Sequence, residues 1–438
     1  MKKVSIVWIL CALAINVQAQ TIKKLSLTEA FELAVQNSKQ LQLDSLKKQA
    51  LQIKKEQTKA TIVPVVGITA AYTRLSNNID PFTIAIPGVG SFDIQTNIPN
   101  QFTNVASIRQ PIFQGLKNWN TMKALDQQAM ATDFDELKDK NDIKMMVVQY
   151  YYNLFALQQR MVLLDSTIAQ TQARVNDLEK LKNAGIILNN DVMRAELQKN
   201  NFEVDRVNLE SNIATINFYL AILLGLDTET KIETDSPENT VTNTNNFINM
   251  QALAYGNRPE FKAQSYRTKS ADYMLKASKS AYMPTISAAA NGQYNNPNQR
   301  MFPPKSTFKA TWDVGVNLSW NIMQLYTARS VVNDAKNQKA QIALQTEQLK
   351  DNVSMEVNSN SEALKVAQSK INLAIKAIDQ ATENKRILDN RFTAQIALLT
   401  DVLDADVFLL QAKTNLLNAQ AEAAIANFKL QKSLGNIN

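Results

Sequence analysis

The sequence predicts a mixed, mainly α-helical fold in which long antiparallel coiled-coil helices are combined with four β-strands per chain. Three observations carry this prediction. The second half of the chain repeats the first in register, each half contains a long stretch free of proline and glycine, and each half contains two segments of alternating apolar and polar residues. Together they indicate one structural unit that was duplicated in tandem.

The composition excludes several classes of function. Hydrophobic residues make up 45% of the 438 residues and charged residues 20%, which is typical of a folded protein. Histidine is absent and the one cysteine is Cys11, so Ser-His-Asp or Cys-His catalysis, thiolate or imidazole zinc sites and a disulfide framework are not expected. The common glycine-rich phosphate-binding motifs are also missing. We therefore expect no enzyme activity, no cofactor and no metal site.

Residues 1–19 have the three parts of a secretory signal peptide. Lys2 and Lys3 precede an apolar stretch, and Ala19 ends a small-residue cleavage pattern. The apolar stretch is shorter than the roughly 20 residues that span a bilayer, which disfavours a membrane anchor. Leu10 before Cys11 disfavours a lipid anchor. Removing the two lysines lowers the formal charge from +7 to +5 (7 − 2), and no lysine or arginine run predicts nucleic-acid binding.

The internal repeat fixes the domain organisation. At an offset of 220 residues Asn37 aligns with Asn257, and after one change of length an offset of 210 aligns Gly225 with Gly435. The sequence predicts a first repeat over residues 20–226, a polar linker over 227–246 and a second repeat over 247–438. Each repeat is predicted to contain a helix, two strands, a long helix and a return helix. The predicted ranges are strands 65–74 and 102–113, long helix 117–183 and return helix 190–225 in the first repeat, and strands 285–294 and 308–323, long helix 327–393 and return helix 401–434 in the second.

The first helix is predicted from Leu27 to Ile62, because Pro64 cannot continue it. A loop over 75–101 then joins the two strands of the first repeat. The long helices would be roughly 100 Å long at 1.5 Å per residue, a length that requires a coiled-coil partner. Val357, Leu364 and Ile371 recur every seven residues, as a coiled-coil seam requires. No other stretch of about 18 apolar residues follows, so no transmembrane helix is expected.

The strands have the alternation of an outer-membrane barrel wall. In the last strand one face carries only apolar residues, which are Trp312, Val314, Val316, Leu318, Trp320 and Ile322. Four strands cannot close a barrel, and lipid does not tolerate an open edge. Three copies would supply twelve strands, which predicts a homotrimer with a 12-stranded β-barrel in outer-membrane lipid. Four aromatic residues are predicted at the interfacial girdles: Trp312, Trp320, Phe102 and Phe113. A soluble antiparallel sheet with one wet face is the alternative.

The chain has this order of elements twice, after a predicted signal peptide. In this it resembles the TolC family of outer-membrane efflux proteins, which are also called outer membrane factors. Three short sequence motifs support the resemblance: Leu-Ser-Leu-Thr-Glu-Ala at 25–30, Gln-Pro-Ile-Phe at 110–113 and Thr-Asp-Val-Leu-Asp-Ala at 400–405. The resemblance implies a trimeric tunnel from the outer membrane across the periplasm. It also implies a passive exit duct for tripartite efflux or type I secretion, docked to a periplasmic adaptor (membrane fusion) protein and an inner-membrane pump of RND or ABC type.

The resemblance also implies a pore constriction. Two aspartates that line the narrow periplasmic end in the family match Asp401 and Asp404, and Asp191 is the first-repeat equivalent of Asp401. Threefold symmetry would turn each carboxylate into a ring of three that favours cations. The alternative role for Asp401 and Asp191 is helix capping. Arg194 replaces the second aspartate in the first repeat, so the constriction is not symmetric between repeats.

Two further departures concern gating. The glycine that the family places before the turn is present as Gly185 but is replaced by Gln395. The basic and aromatic partners that hold some relatives closed fall on Ala397 and Phe392, so no gating salt bridge is carried over.

Two other functions compete with a channel. An exported periplasmic coiled-coil adaptor or surface scaffold would use the helices, but it has no evident need for two pairs of amphipathic strands. A secreted hydrolase would need two carboxylates across a cleft, whereas Asp401 and Asp404 lie three residues apart on one predicted helix. The sequence carries no signature of the exported substrate.

Overall fold

The computed structural model describes residues 22–78, 80, 82–95, 98–237, 247–302 and 304–437. The predicted signal peptide and residues 238–246 of the predicted linker lie outside the described residues. The helices are α1 Leu27–Asn37, α2 Lys39–Ala60, α3 Lys117–Asn183, α4 Asn189–Leu224, α5 Phe247–Asn257, α6 Pro259–Ser278, α7 Gln324–Thr393 and α8 Leu399–Ser433. The strands are β1 Ile22–Leu25, β2 Val65–Arg74, β3 Phe82–Ile86, β4 Gly90–Gln95, β5 Asn100–Phe113, β6 Lys231–Thr234, β7 Thr285–Asn295 and β8 Lys309–Ser319.

The chain divides into two compact units. The first comprises Met1–Asp44, Asp135–Phe261 and Gln348–Asn438, and the second comprises Ser45–Phe134 and Lys262–Glu347. The first unit has a core of tightly packed helices, in which the largest fully buried side chains include Tyr151, Leu154, Leu220, Leu224 and Leu430.

A short parallel sheet of β1 and β6 adjoins this core, with Leu25 paired to Thr234. The Tyr151 hydroxyl donates to the Leu25 carbonyl and accepts from the Asp235 amide, each at 2.7 Å. The predicted polar linker over 227–246 thus contains a short strand, β6, of four residues, next to the Asp235 amide that the tyrosine holds.

The predicted first helix, Leu27 to Ile62, is two helices. α1 begins with a capping box in which the Ser26 hydroxyl accepts from the Glu29 amide and the Glu29 carboxylate accepts from the Ser26 amide. Ser38 interrupts the helix with extended backbone (φ −66°, ψ 117°), and its hydroxyl accepts from the Leu41 amide, which starts α2.

The second unit contains a four-stranded antiparallel sheet in the order β2-β5-β7-β8. β5 pairs with β7, so the strand pair of one repeat continues that of the other. Register places Ile68, Ala106, Gly292 and Trp312 in one row on one face. That face is apolar and exposed to an unusual degree, with Ile68 at 83% and Trp312 at 77% exposure. β2 and β8 are open edges within the chain.

Three details of the strands differ from the prediction. The predicted strand 308–323 is too long: β8 ends at Ser319, so Trp320 and Ile322 lie beyond the strand, and the Asn321 carbonyl accepts from the Gln324 amide at the start of α7. β5 begins two residues earlier than predicted and its register shifts between Pro111 and Phe113. The predicted loop 75–101 contains a separate hairpin, β3-β4.

α4 is long and apolar enough to cross a membrane by length and composition alone, with an 18-residue window of mean hydropathy 1.2. The expectation that no such helix exists is therefore wrong by this criterion. A single helix of this kind is weak evidence for a membrane span; 22% of the window is buried inside the protein, and Leu209 of α4 is buried in a cluster with Leu164 of α3. A core helix passes the same test.

Candidate functional site

The two helical hairpins of the first unit end in turns with the same hydrogen bonds. In the first turn the Gly185 amide donates to the Lys182 carbonyl at 2.9 Å and the Ile186 amide donates to Leu181 at 2.9 Å. In the second turn the Gln395 amide donates to Phe392 at 2.9 Å and the Ile396 amide donates to Arg391 at 2.8 Å. The following helices begin after Leu188 and Leu398, and neither start has a side-chain cap.

Asp401 and Asp404 lie on the exposed side of α8, within its first two turns. Val402, Leu403 and Ala405 form the buried side of the same segment. Among the described residues neither carboxylate has a hydrogen-bond or ion-pair partner. The N-cap position is Leu398, so Asp401 does not cap the helix through a side-chain hydrogen bond, although a first-turn carboxylate still interacts favourably with the helix dipole.

Asp191 occupies the equivalent first turn of α4 but has a different environment. It is half-buried and lines a cleft of about 790 Å³ between the two turns. Apolar residues including Ile187, Phe392 and Leu399 line the same cleft. Asp191 is therefore less exposed than Asp401.

Next to this cleft lies an ionic cluster that sequence reasoning missed. Arg174 of α3 contacts Asp389 of α7 at 2.9 Å and Asp406 of α8 at 3.5 Å, measured from Nη2 to the carboxylate oxygens. Lys385 also forms ion pairs with both aspartates. Burial opposes ionisation of Asp389, but hydrogen bonds from Arg174 and Lys385 outweigh it and hold the pKa of Asp389 below its usual value. The cluster thus joins three helices.

The repeat-equivalent positions of Arg174, Lys385 and Asp406 hold Asn384, Val175 and Glu196. These equivalents do not carry a matching set of charges. This departure from the duplication was the one sequence signal for the cluster, and it gives no indication of which residues are in contact.

The four predicted girdle aromatics lie toward the two ends of the sheet. Trp312 and Phe102 are near the end where β3-β4 is inserted, and Trp320 and Phe113 follow or end strands at the other end. Trp320 is 53% exposed and Phe102 is 37% exposed. Sequence reasoning missed three aromatic rings that cluster with Phe102, with centroids 5.0–5.7 Å apart: Tyr72, Phe308 and Tyr294.

No group of three or more histidine, cysteine, aspartate or glutamate side chains that could hold a metal ion occurs in the described part of the chain.

Comparison with known protein families also distinguishes the two repeats. A model of the outer membrane efflux protein family matches residues 30–226 and 251–436. The chain belongs to this outer membrane efflux protein family. Each matched range falls in one repeat, and together they cover most of the chain.

Individual relatives are distant. The chain is 22% identical over 341 residues to the outer membrane efflux protein BepC of Brucella suis biovar 1 (strain 1330), covering 75% of this chain and 71% of BepC. It is similar to the crystal structure of the outer membrane protein VceC from Vibrio cholerae, with a TM-score of 0.75, 19% identity and coverage of 94% and 97%. It is also similar to the CmeC outer membrane channel of Campylobacter jejuni, with a TM-score of 0.74, 16% identity and coverage of 94% and 86%.

The structural matches confirm a mainly helical fold with a few strands, and membership of the family confirms the outer-membrane location expected from the sequence. The protein is an outer membrane efflux protein.

Proposed function

We propose that three copies of the chain form a channel-tunnel that serves as the passive exit duct of a tripartite efflux or type I secretion system. The observation that carries the proposal is the four-stranded sheet with an exposed apolar face and two open edges. Such a sheet is stable in lipid only when its edges are paired.

Trimer formation would pair those edges. β2 and β8 run antiparallel to each other across the four-strand order, so β8 of one copy and β2 of the next continue the antiparallel pattern. Three copies then give a closed barrel of twelve strands with its apolar face outward. An even strand number and alternating faces are typical of outer-membrane barrels.

The aromatic residues support a lipid-facing position for this face. Trp312 and Trp320 are eight residues apart, which corresponds to roughly 27 Å along a strand and about 21 Å along a barrel axis after a 40° tilt. That distance is close to the height of the apolar band of outer-membrane barrels, about 25 Å. We assign Trp312 and Phe102 to one girdle and Trp320 and Phe113 to the other.

We assign Asp401 and Asp404 to the narrow periplasmic end of the duct. Both carboxylates are exposed and unpartnered among the described residues, so they are available to face a lumen. Two rings of three carboxylates would concentrate negative charge and favour cations. Asp191, which lines the cleft behind them, adds negative charge at the same end.

The turns are also the proposed docking site for a periplasmic adaptor, which would connect the duct to an inner-membrane pump. Four apolar side chains are exposed there although they adjoin polar helices; they are Ile186 at 54%, Leu188 at 75%, Ile396 at 68% and Leu398 at 70%. Exposed apolar residues of this kind mark interaction surfaces. An RND or ABC pump is implied by the family resemblance alone.

Single-channel conductance in planar bilayers tests the proposal. We expect discrete cation-selective openings, and a loss of selectivity in Asp401→Ala plus Asp404→Ala. A control with two other exposed carboxylates removed, Asp205→Ala plus Asp379→Ala, should retain most of the selectivity. If the channel opens but its cation selectivity is unchanged in the Asp401 and Asp404 variant, the proposed constriction is disproved. If well-folded protein does not insert into the bilayer, the scaffold alternative is favoured.

A further inference from the structure

The β3-β4 hairpin has one apolar face that the described residues of its own chain leave uncovered. Its register pairs Ile84 with Phe92 and Ile86 with Gly90, with Val89 in the turn. Phe82, Ile84 and Ile86 share a face because side chains alternate along a strand. Their exposed fractions are 60%, 40% and 47%, and Phe92 is 49% exposed.

The hairpin is also separate from the larger sheet. β3 and β4 are hydrogen-bonded to each other as an independent two-stranded sheet. An isolated two-stranded hairpin is marginally stable in water. An exposed apolar face on such an element therefore requires cover from outside the chain.

The second repeat lacks this element in its described residues. Its strands β7 and β8 are joined by residues 296–308, whereas β2 and β5 are joined by residues 75–99. The first connection is 12 residues longer (25 − 13), and the hairpin lies within this longer connection, which contributes to the change in repeat offset. It occurs once per repeat pair, so a trimer would carry three hairpins related by the threefold axis.

The position of the hairpin places it at one mouth of the barrel. It follows Arg74 and precedes Asn100, at the end of the sheet opposite to the points where α2 and α3 join the strands. A barrel of twelve strands spaced 4.8 Å apart and tilted by about 40° has a radius of about 12 Å. A strand of five or six residues spans about 17–20 Å. A hairpin anchored at the rim is therefore long enough to reach the axis.

We propose that the apolar face of β3-β4 docks against the same face on the two other copies and covers the outer mouth of the barrel. The inference rests on the trimer proposed above. The partner is a second copy and not a lipid surface, because residues 80–95 contain no lysine or arginine and include Asp80 and Asp93. Segments that lie on anionic membranes are rich in lysine and arginine.

Cysteine cross-linking tests this contact directly. Cys11 is the one native cysteine and lies in the predicted signal peptide, so Val89→Cys gives the exported chain a single thiol. We expect this variant to form a covalent dimer in outer-membrane vesicles with a short bismaleimide. Phe302→Cys, at a 78% exposed site in the other loop, is the matched control and should not cross-link.

A second variant keeps the hairpin backbone and removes the apolar face. Ile84→Ser plus Phe92→Ser, combined with Val89→Cys, should lose the cross-linked band and raise single-channel conductance. Native gel electrophoresis checks the trimer separately. If the protein forms trimers but Val89→Cys does not cross-link, the docking between hairpins is overturned and the proposed channel function still stands. Quenching of a fluorophore on Val89→Cys by lipid-borne quenchers would assign the face to the membrane instead, whereas absence of trimers would overturn the proposed function itself.

Discussion

Gly185 and Gln395 have the same left-handed backbone conformation at equivalent positions of the two repeats, with φ of 75° and 60°. Both end a long helix and donate backbone hydrogen bonds of the same pattern. Glycine adopts this conformation without steric cost, whereas a residue with a Cβ atom is disfavoured by roughly 1–2 kcal/mol. The duplication has therefore preserved the turn while one copy lost the residue best suited to it.

Gln395→Gly should stabilise the protein by about 1 kcal/mol, because it removes this strain. The converse substitution, Gly185→Gln, should destabilise it by a similar amount. Thermal unfolding of the purified protein, followed by circular dichroism, measures both. If both substitutions shift the melting temperature by equal and small amounts in the same direction, the left-handed backbone conformation does not determine the stability at these positions.

Gly225→Ala should destabilise the first unit by roughly 2 kcal/mol or more. Gly225 has φ of 70°, and an added Cβ would lie 2.6 Å from the Cβ of Asn37, whose side-chain amide donates to the Leu224 carbonyl at 2.8 Å. Gly256→Ala is the control, since it lies within α5 and an added Cβ has nothing within 4 Å. That change should stabilise by up to about 1 kcal/mol through helix propensity. Similar losses of melting temperature for both variants would contradict this reasoning.

Arg174→Ala should destabilise the first unit by about 1–2 kcal/mol, between the values for exposed and buried ion pairs. It leaves Asp389 and Asp406 with Lys385 as their shared cation. Arg174→Lys should recover part of the loss, because a lysine keeps the charge but not the planar geometry of the guanidinium group. Thermal unfolding at neutral pH is the measurement, and an unchanged melting temperature would show that the cluster contributes nothing to stability.

The same cluster predicts a pH dependence. The pKa of Asp389 is lowered in the folded protein relative to its ordinary value of 3.8. A lowered carboxyl pKa contributes stability above the unfolded-state pKa, and this contribution is lost as the pH falls through the folded-state pKa. The melting temperature should therefore decrease below about pH 4. The decrease should be smaller in Asp389→Asn, which cannot titrate; an identical acid profile would assign the pH dependence to other carboxylates.

The repeat, the strands of the main sheet and the long helices could be predicted because each leaves a periodic signal in the sequence. Trp312 to Leu318 alternate over a whole strand, and Pro64 marks a helix end. The β3-β4 hairpin could not be predicted in the same way, because Pro87, Gly88 and Gly90 resemble an ordinary loop. Contacts such as Arg174 to Asp389 join residues 215 positions apart, and no local pattern specifies such a pair.

The orientation of the sheet gives the most direct test of the barrel. Val314 lies on the apolar face and Asn317 on the opposite face of β8, three residues away. If the apolar face contacts lipid, Val314→Arg should cost about 2–4 kcal/mol per copy near the bilayer midplane and reduce assembly in the outer membrane. Asn317→Arg should be tolerated, because it would face an aqueous lumen and alter ion selectivity instead. Heat-resistant trimers on gels, compared between the two variants, measure assembly. If Asn317→Arg is the disruptive change, the proposed inside and outside of the barrel are reversed.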